Sequence, residues 1–258
     1  MIYQAHRGVS TEYPENTMPA FRAAFEQGYG IIETDPIFTS DGQCVLFHDR
    51  TTTRTCRDAE GQPVPERVAA EMTFAELTAL DAGVFMGEQF KGTKVPTLEE
   101  ALSYIAEKKL HVKLDNKFER FTLEQKQMMF DIVEQSGADA GFTCVKPENI
   151  QLVVARFPNA TIHYDGFVDK GTLDMVKSLL KNNPLTVWLP LPSHLTSWVK
   201  IPMATPEMCQ MAKKYGKLGL WILETEEQLR QAIALGADII ETTGALKPRF
   251  VALSSDKN

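Results

Sequence analysis

Several features that are common in other protein classes are missing from this chain of 258 residues. No apolar run approaches the ~18 residues of a membrane-spanning helix, so we expect no stable membrane insertion. The first residues show no basic segment followed by a long apolar stretch, and thus no visible secretory leader. The four cysteines form no C-x-x-C pair, and a chain of this length needs no disulfide cross-links. These absences predict reduced thiols and a cytoplasmic location.

An excess of basic residues is also missing, because the formal net charge is −7. A basic surface is typical of proteins that bind nucleic acid, so we expect no nucleic-acid partner. Nothing in the pattern predicts the oligomeric state. The length suits one domain over residues 1–258, since a (β/α)8 barrel typically takes about 250 residues.

The chain does contain a regular alternation of short apolar strands and amphipathic helices. Eight strands are predicted, at residues 2–5, 31–35, 110–115, 140–145, 160–165, 185–190, 218–223 and 238–241. Helices are predicted at about residues 17–27, 97–108, 122–136, 147–156, 171–182, 205–215 and 225–235. Such alternation indicates parallel strand–helix–strand units, and eight of them predict an α/β fold of the (β/α)8, or TIM barrel, type.

One segment interrupts the alternation. Residues 49–96 are polar and rich in turns, and only the stretch 74–80 looks helical. We interpret this segment as a small insertion after strand two, on one face of the main fold. The main alternative to the barrel is an open, doubly wound sheet.

Polar side chains end or directly follow the first three predicted strands, where a barrel places its catalytic groups. These residues are His6, Arg7, Glu33, Asp35, Asp115 and Lys117. Glu33 and Asp35 are two positions apart, so both side chains point to the same face of their strand. Clustered carboxylates repel one another unless a cation neutralises them, and oxygen ligands favour Mg²⁺ or Ca²⁺ over Zn²⁺. The pattern therefore predicts a site for one divalent cation.

Each part of this pattern also has a simpler interpretation. A Glu-x-Asp pair is usually a solvated strand face, His48-Asp49 is commonly a turn, and His6 alone could be a structural histidine. Chance explains the whole combination less well than it explains each part, because all the parts lie at strand ends on one face of the fold. Two imidazoles, carboxylates and a guanidinium are the groups that a metal-assisted phosphoester hydrolase needs.

The same residues belong to longer motifs: His6-Arg7-Gly8, Pro14-Glu15-Asn16-Thr17, Glu33-Thr34-Asp35, Thr39-x-Asp41-Gly42 and His48-Asp49. Together they resemble the signature of the glycerophosphodiester phosphodiesterases. Weaker similarity continues along the chain, at Thr53-Arg54-Thr55, at residues 80–83 and 95–101, at Trp221 and at residues 236–240. The resemblance thus spans the chain in the order that the barrel interpretation requires.

This resemblance implies hydrolysis of glycerophosphodiesters, small-molecule substrates, to glycerol 3-phosphate and an alcohol. It implies that His6 and His48 form the general acid/base pair, with His6 accepting a proton and His48 donating one. The route that it favours passes through the neighbouring glycerol hydroxyl and a cyclic phosphate.

The resemblance also implies the ligands. Glu33 and Asp35 would bind the cation together with Asp115. Further substrate or phosphate contacts are expected from Arg7, Lys117, Glu15, Asn16 and Trp221.

The third-strand motif departs from the family pattern. It reads Asp115-Asn116-Lys117, where the family usually has Glu-x-Lys. The eighth strand departs as well, because Glu241-Thr242-Thr243 stands where the family commonly has Thr-Asp. Related phospholipase D enzymes often carry Asp at the third-strand position. An enzyme of that kind, acting on lysophospholipids, is one alternative. It would need an apolar entrance to the site, which could form in segments 49–96 and 191–204. The second segment contains His194 and Trp198. A non-catalytic phosphoester-binding barrel is the other.

Overall fold

Parallel strands close into a barrel in the part of the chain that this computed structural model describes, residues 1–191 and 203–248. The strands are β1 (Ile2–His6), β2 (Ile31–Thr34), β3 (Pro36–Phe38), β4 (Cys44–Leu46), β5 (His111–Leu114), β6 (Asp139–Thr143), β7 (Ile162–Tyr164), β8 (Leu185–Pro190), β9 (Lys217–Trp221) and β10 (Ile239–Thr242). Around the barrel the order is β1-β10-β9-β8-β7-β6-β5-β2, and every neighbouring pair is parallel. The predicted (β/α)8 barrel is confirmed, and the open sheet is excluded.

Helices pack around this barrel or lie in the segment that follows β4. They are α1 (Met18–Glu26), α2 (Phe74–Ala79), α3 (Leu98–Glu107), α4 (Leu123–Ser136), α5 (Pro147–Arg156), α6 (Lys170–Leu179), α7 (Pro206–Lys213) and α8 (Glu226–Ala234). Short 3-10 turns span Ala69–Glu71, Val84–Met86, Glu88–Phe90 and Asn116–Arg120. Local sequence explains several of these boundaries. Thr122 forms a capping box with Gln125 at the start of α4, and Gly137 ends that helix in the left-handed conformation.

The segment between β2 and α3 leaves the barrel. Strands β3 and β4 form an antiparallel hairpin within it, and α2 follows. A separate apolar cluster stabilises the segment, formed by Val45, Phe47, Cys56, Ala69, Met72, Leu77, Ala82 and Val95. The segment therefore begins at the hairpin, before the position of about 49 that the sequence predicted.

The hairpin returns the chain to the barrel rim. The Phe47 amide donates to the carbonyl of Asp35 at 2.9 Å, and the Lys117 ammonium donates to the carbonyl of Phe47 at 3.1 Å. These bonds hold the residue that follows Phe47 over the ends of β2 and β5. That residue is His48, so the fold brings the second motif histidine to the same rim as the first.

Within the described ranges, no helix is both long and apolar enough to cross a bilayer. The four cysteines are buried free thiols. A cytoplasmic location stays a prediction.

Candidate active site

His6 and Glu33 lie side by side at the carboxyl ends of β1 and β2. The strand register pairs His6 with Glu33, and Glu33 with Lys113 on β5. The imidazole Nε2 of His6 is 3.9 Å from a carboxylate oxygen of Glu33. Asp115 follows β5 directly, and its carboxylate caps the next 3-10 turn by accepting from the Lys117 amide at 3.0 Å. Strand alternation and this cap therefore aim the acidic side chains at one point.

Three carboxylates meet there. One oxygen each from Glu33, Asp35 and Asp115 lies within 4.8 Å of the others. Glu33 and Asp35 are only 3% and 2% exposed. Burial raises the pKa of the Glu33 carboxyl well above its ordinary value, and repulsion from Asp35 and Glu241 adds to this. Burial, followed by repulsion from Asp35, also raises the pKa of Asp115. Crowded, buried carboxylates of this kind fit a hard divalent cation.

Asp35 differs from Glu33 and Asp115 because it is already paired with two basic side chains. Burial alone would raise the pKa of its carboxyl, but Lys117 and Arg7 hold that pKa well below its usual range. The Lys117 Nζ is 3.0 Å from one oxygen, and the Arg7 Nε is 3.3 Å from the other. Asp35 is therefore an anion that also orients the two basic groups expected at the phosphate.

Asn16 fixes the position of Asp35. Its backbone adopts a left-handed φ of 54°, and its amide Nδ2 donates to the Asp35 carboxylate at 2.7 Å. Its side-chain oxygen accepts from the Thr34 hydroxyl at 2.8 Å and from the Asp35 amide at 3.2 Å. The backbone N–H of Asn16 donates to the carbonyl of Arg7 at 3.0 Å. Asn16 thus ties the β1 turn to the end of β2, through its backbone N–H on one side and its side chain on the other.

A chain of ion pairs connects Arg7 with His48. Glu15 accepts from Arg7 at 3.0 Å and from two nitrogens of Arg54, each at 2.7 Å. Arg54 also donates to both oxygens of Asp49, at 2.6 and 2.9 Å. Asp49 lies 2.7 Å from the Nδ1 of His48. Arg54 is the central member, and its two bidentate contacts fix the geometry on both sides.

The two histidines have different surroundings. His6 is enclosed, and burial, followed by the positive charge of Arg7, lowers the pKa of its imidazole to about 3. It is therefore neutral at physiological pH. The side chain of His48 is 36% exposed, and Asp49 orients it through Nδ1. Because Asp49 contacts Nδ1, Nε2 is the nitrogen of this ring that remains for proton transfer.

Most of the predicted site residues come together at this rim: His6, Arg7, Glu15, Asn16, Glu33, Asp35, His48, Asp115 and Lys117. Trp221 ends β9 and packs on a cluster that contains Trp188. A contact between Trp221 and the substrate stays a prediction. His194 and Trp198 lie outside the described residues.

Sequence reasoning assigned no role to Arg54, or to the buried pair of Lys113 and Glu241. The Lys113 Nζ is 3.7 Å from the Glu241 carboxylate and 4.3 Å from the centroid of a Trp188 ring. Glu241 also lies beside His6 and Glu33. Strand alternation places Lys113 on the same face as Asp115, two positions later, and this signal could have identified it.

A known protein family matches most of this chain. The model of the glycerophosphoryl diester phosphodiesterase family matches residues 6–218. The chain belongs to this family. It is accordingly an enzyme, a phosphodiester hydrolase.

Individual relatives match this phosphodiesterase over most or part of its length. A glycerophosphodiester phosphodiesterase from Caldanaerobacter subterraneus subsp. tengcongensis is 28% identical over 244 residues, 92% of each chain. A putative glycerophosphodiester phosphodiesterase of Bacillus subtilis is 38% identical over 102 residues, 40% of this chain and 39% of the relative. An Oleispira antarctica phosphodiesterase, solved with the product sn-glycerol-3-phosphate, superposes with a TM-score of 0.75 at 20% identity, covering 95% of this chain and 94% of that one. That likeness supports the shared fold.

Proposed function

We propose that this enzyme hydrolyses glycerophosphodiesters to glycerol 3-phosphate and an alcohol, with one divalent cation and two histidines. The observation that carries the proposal is one buried carboxylate cluster that contacts the His6 imidazole and two basic groups, with His48 held at the same rim by a hydrogen bond from Lys117 to its carbonyl. His6, Arg7, Lys117 and His48 all lie against that cluster or are hydrogen-bonded to residues that do. A site for binding alone would not need two proton carriers.

Glu33, Asp35 and Asp115 are the proposed ligands, and their hard oxygen donors suit Mg²⁺ or Ca²⁺. When bound, the cation would neutralise the phosphodiester and the charge that develops on it. Asp115 is one methylene shorter than the usual glutamate. Its cap on the 3-10 turn, together with its short distance to Glu33 and Asp35, supports its place in this ligand set.

The remaining steps belong to the protein side chains. Arg7 and Lys117, oriented by Asp35, contact the phosphate oxygens. Neutral His6 takes the proton of the neighbouring glycerol hydroxyl while that oxygen attacks phosphorus. The bond from phosphorus to the alcohol oxygen breaks, and His48 protonates the departing oxygen. Water then opens the cyclic phosphate with the proton roles reversed, which returns both histidines to their starting states and releases glycerol 3-phosphate.

Product analysis tests this proposal. The purified protein is incubated with a panel of glycerophosphodiesters, and glycerol 3-phosphate is measured. We expect release from at least one member, and a fall in kcat of about 10²- to 10⁴-fold in either His6→Ala or His48→Ala. Near wild-type turnover in either variant would overturn the two-histidine scheme. Preferential cleavage of lysophospholipids would favour the phospholipase D alternative, and substrate binding without turnover would favour the non-catalytic one.

A further inference from the structure

A cavity of about 390 Å³ opens beside His48, between the inserted segment and the start of α4. His48 and Lys117 line its inner side, and Arg50 and Arg120 line the rest together with apolar residues. Its volume lies within the range of about 300–1,000 Å³ that is typical of small-molecule sites. The three carboxylates proposed to hold the cation are not among its lining residues. The cavity is therefore a space next to the reaction centre that the mechanism above does not use.

The charges in this cavity are unbalanced. Asp49 is the only carboxylate among its described lining residues, and it already pairs with Arg54 and His48. Lys117 is neutralised by Asp35. Arg50 and Arg120 are exposed and have no ion-pair partner among the residues that the structure describes. Two guanidinium groups thus face the cavity without a counter-charge.

The apolar part of the wall suits a small organic group. Phe38 and Phe121 pack edge to face with ring centroids 5.0 Å apart, and Ile37 and Val68 extend this surface. A cationic group such as an ammonium would meet two like charges here and no free carboxylate. An anionic group would instead gain charge-assisted hydrogen bonds from the arginines.

The position of His48 connects the cavity with the reaction. In the proposed mechanism His48 protonates the departing alcohol oxygen, so that oxygen lies next to His48 when the bond breaks. The rest of the alcohol must then extend away from the cation site, and the cavity is the space on that side. We propose that this cavity receives the alcohol group and selects alcohols that carry an anionic group, either a phosphate or a carboxylate. This inference rests on the proposed function.

The test compares alcohol groups of different charge on the same glycerophosphate. Four esters are used, those of glycerol (neutral), choline (cationic), phosphoglycerol (phosphate) and glycolate (carboxylate). For the wild-type enzyme we expect kcat/KM for at least one anionic ester to exceed that for the choline ester by about tenfold or more. The phosphate and carboxylate arms show which anion the arginines prefer.

Substitution of the arginines tests the cause. In Arg50→Gln and Arg120→Gln we expect KM for the preferred anionic ester to rise about five- to tenfold, and by much less for the choline ester. Arg22→Gln, on the exposed face of α1 and outside the cavity, is the matched control and should change neither.

Two outcomes overturn the inference alone: equal or better turnover of the choline ester, or arginine variants that affect all four esters equally. Absence of turnover with every ester would instead overturn the proposed function, and the inference with it.

Discussion

At the scale of single residues, Arg54 connects two parts of the candidate site, because it pairs with both Glu15 and Asp49. His6, His48 and the acidic residues proposed as ligands could be selected from their motif positions, because each ends or follows a strand or the hairpin. The role of Arg54 could not be predicted, since its partner Glu15 is 39 positions away and the pairing depends on how the inserted segment folds back. Such contacts between distant residues leave no periodic signal in the sequence.

Asn16 offers a direct test of how the acidic cluster is positioned. Asn16→Asp removes the donor to Asp35 and places a second carboxylate against it. We expect the affinity for Mg²⁺ to fall about 10- to 100-fold, which is typical when a residue that orients a metal ligand is lost. Calorimetric titration measures the change. Asn182→Asp, at an exposed position, makes the same chemical substitution and should leave the affinity as in wild type; equal affinities in both variants would refute the positioning role.

His48 can be tested as a proton donor by changing the leaving group. A p-nitrophenol leaving group needs little protonation, whereas a simple alcohol needs it. In His48→Ala we therefore expect kcat to fall about 10²- to 10⁴-fold with the glycerol ester, but less than about tenfold with the p-nitrophenyl ester of glycerol 3-phosphate. Initial rates with the two esters give this ratio. An equal loss with both would show that His48 does not donate the proton.

At the scale of elements, the strands of the barrel were predictable because each is a short apolar run between turn residues. Only one strand of the hairpin has a signal in the sequence. Residues 44–48 form a short apolar run after the Asp41-Gly42 turn, which favours an extended strand, whereas β3 shows no such pattern. Strand β3 is three residues long, begins with proline and follows Asp35 directly, so it has too few residues to show an alternating pattern.

The turn after β1 depends on a glycine. Gly8 has a φ of +81°, and an added Cβ would lie 2.6 Å from the Cβ of Ala20 on α1. Gly8→Ala should therefore lower the free energy of unfolding by about 2–4 kcal/mol, from backbone strain and overpacking together. It should also reduce activity, because Arg7 is the adjacent residue. Urea denaturation measures the stability change.

Gly42 provides the matched control for that substitution. Its φ of +86° is nearly the same, but no described atom lies within 4 Å of an added Cβ. Gly42→Ala should cost only the backbone term of about 1–2 kcal/mol and leave kcat unchanged. Equal destabilisation by the two substitutions would refute the packing argument for Gly8.

At the scale of the whole molecule, we expect the acidic cluster to lower the stability of the cation-free protein. Glu33 is buried among like charges, so the cation-free protein carries uncompensated repulsion. For the wild type, we expect saturating Mg²⁺ to raise the Tm by about 5–10 °C above its value in EDTA. Glu33→Gln should raise the Tm measured in EDTA and greatly reduce this Mg²⁺-dependent rise. Glu99→Gln, at an exposed position on α3, should behave as the wild type. A Mg²⁺-induced rise that persists in full in Glu33→Gln would place the cation elsewhere.

The central claim is that one cation at the Glu33, Asp35 and Asp115 cluster serves phosphodiester hydrolysis. The most direct measurement is the initial rate of glycerol 3-phosphate release, first after treatment with chelator and then during titration with Mg²⁺ or Ca²⁺. We predict that the rate falls at least about 100-fold with chelator and is restored by one of the two cations in the wild type but not in Glu33→Gln. Release that continues undiminished in the presence of chelator would contradict the account.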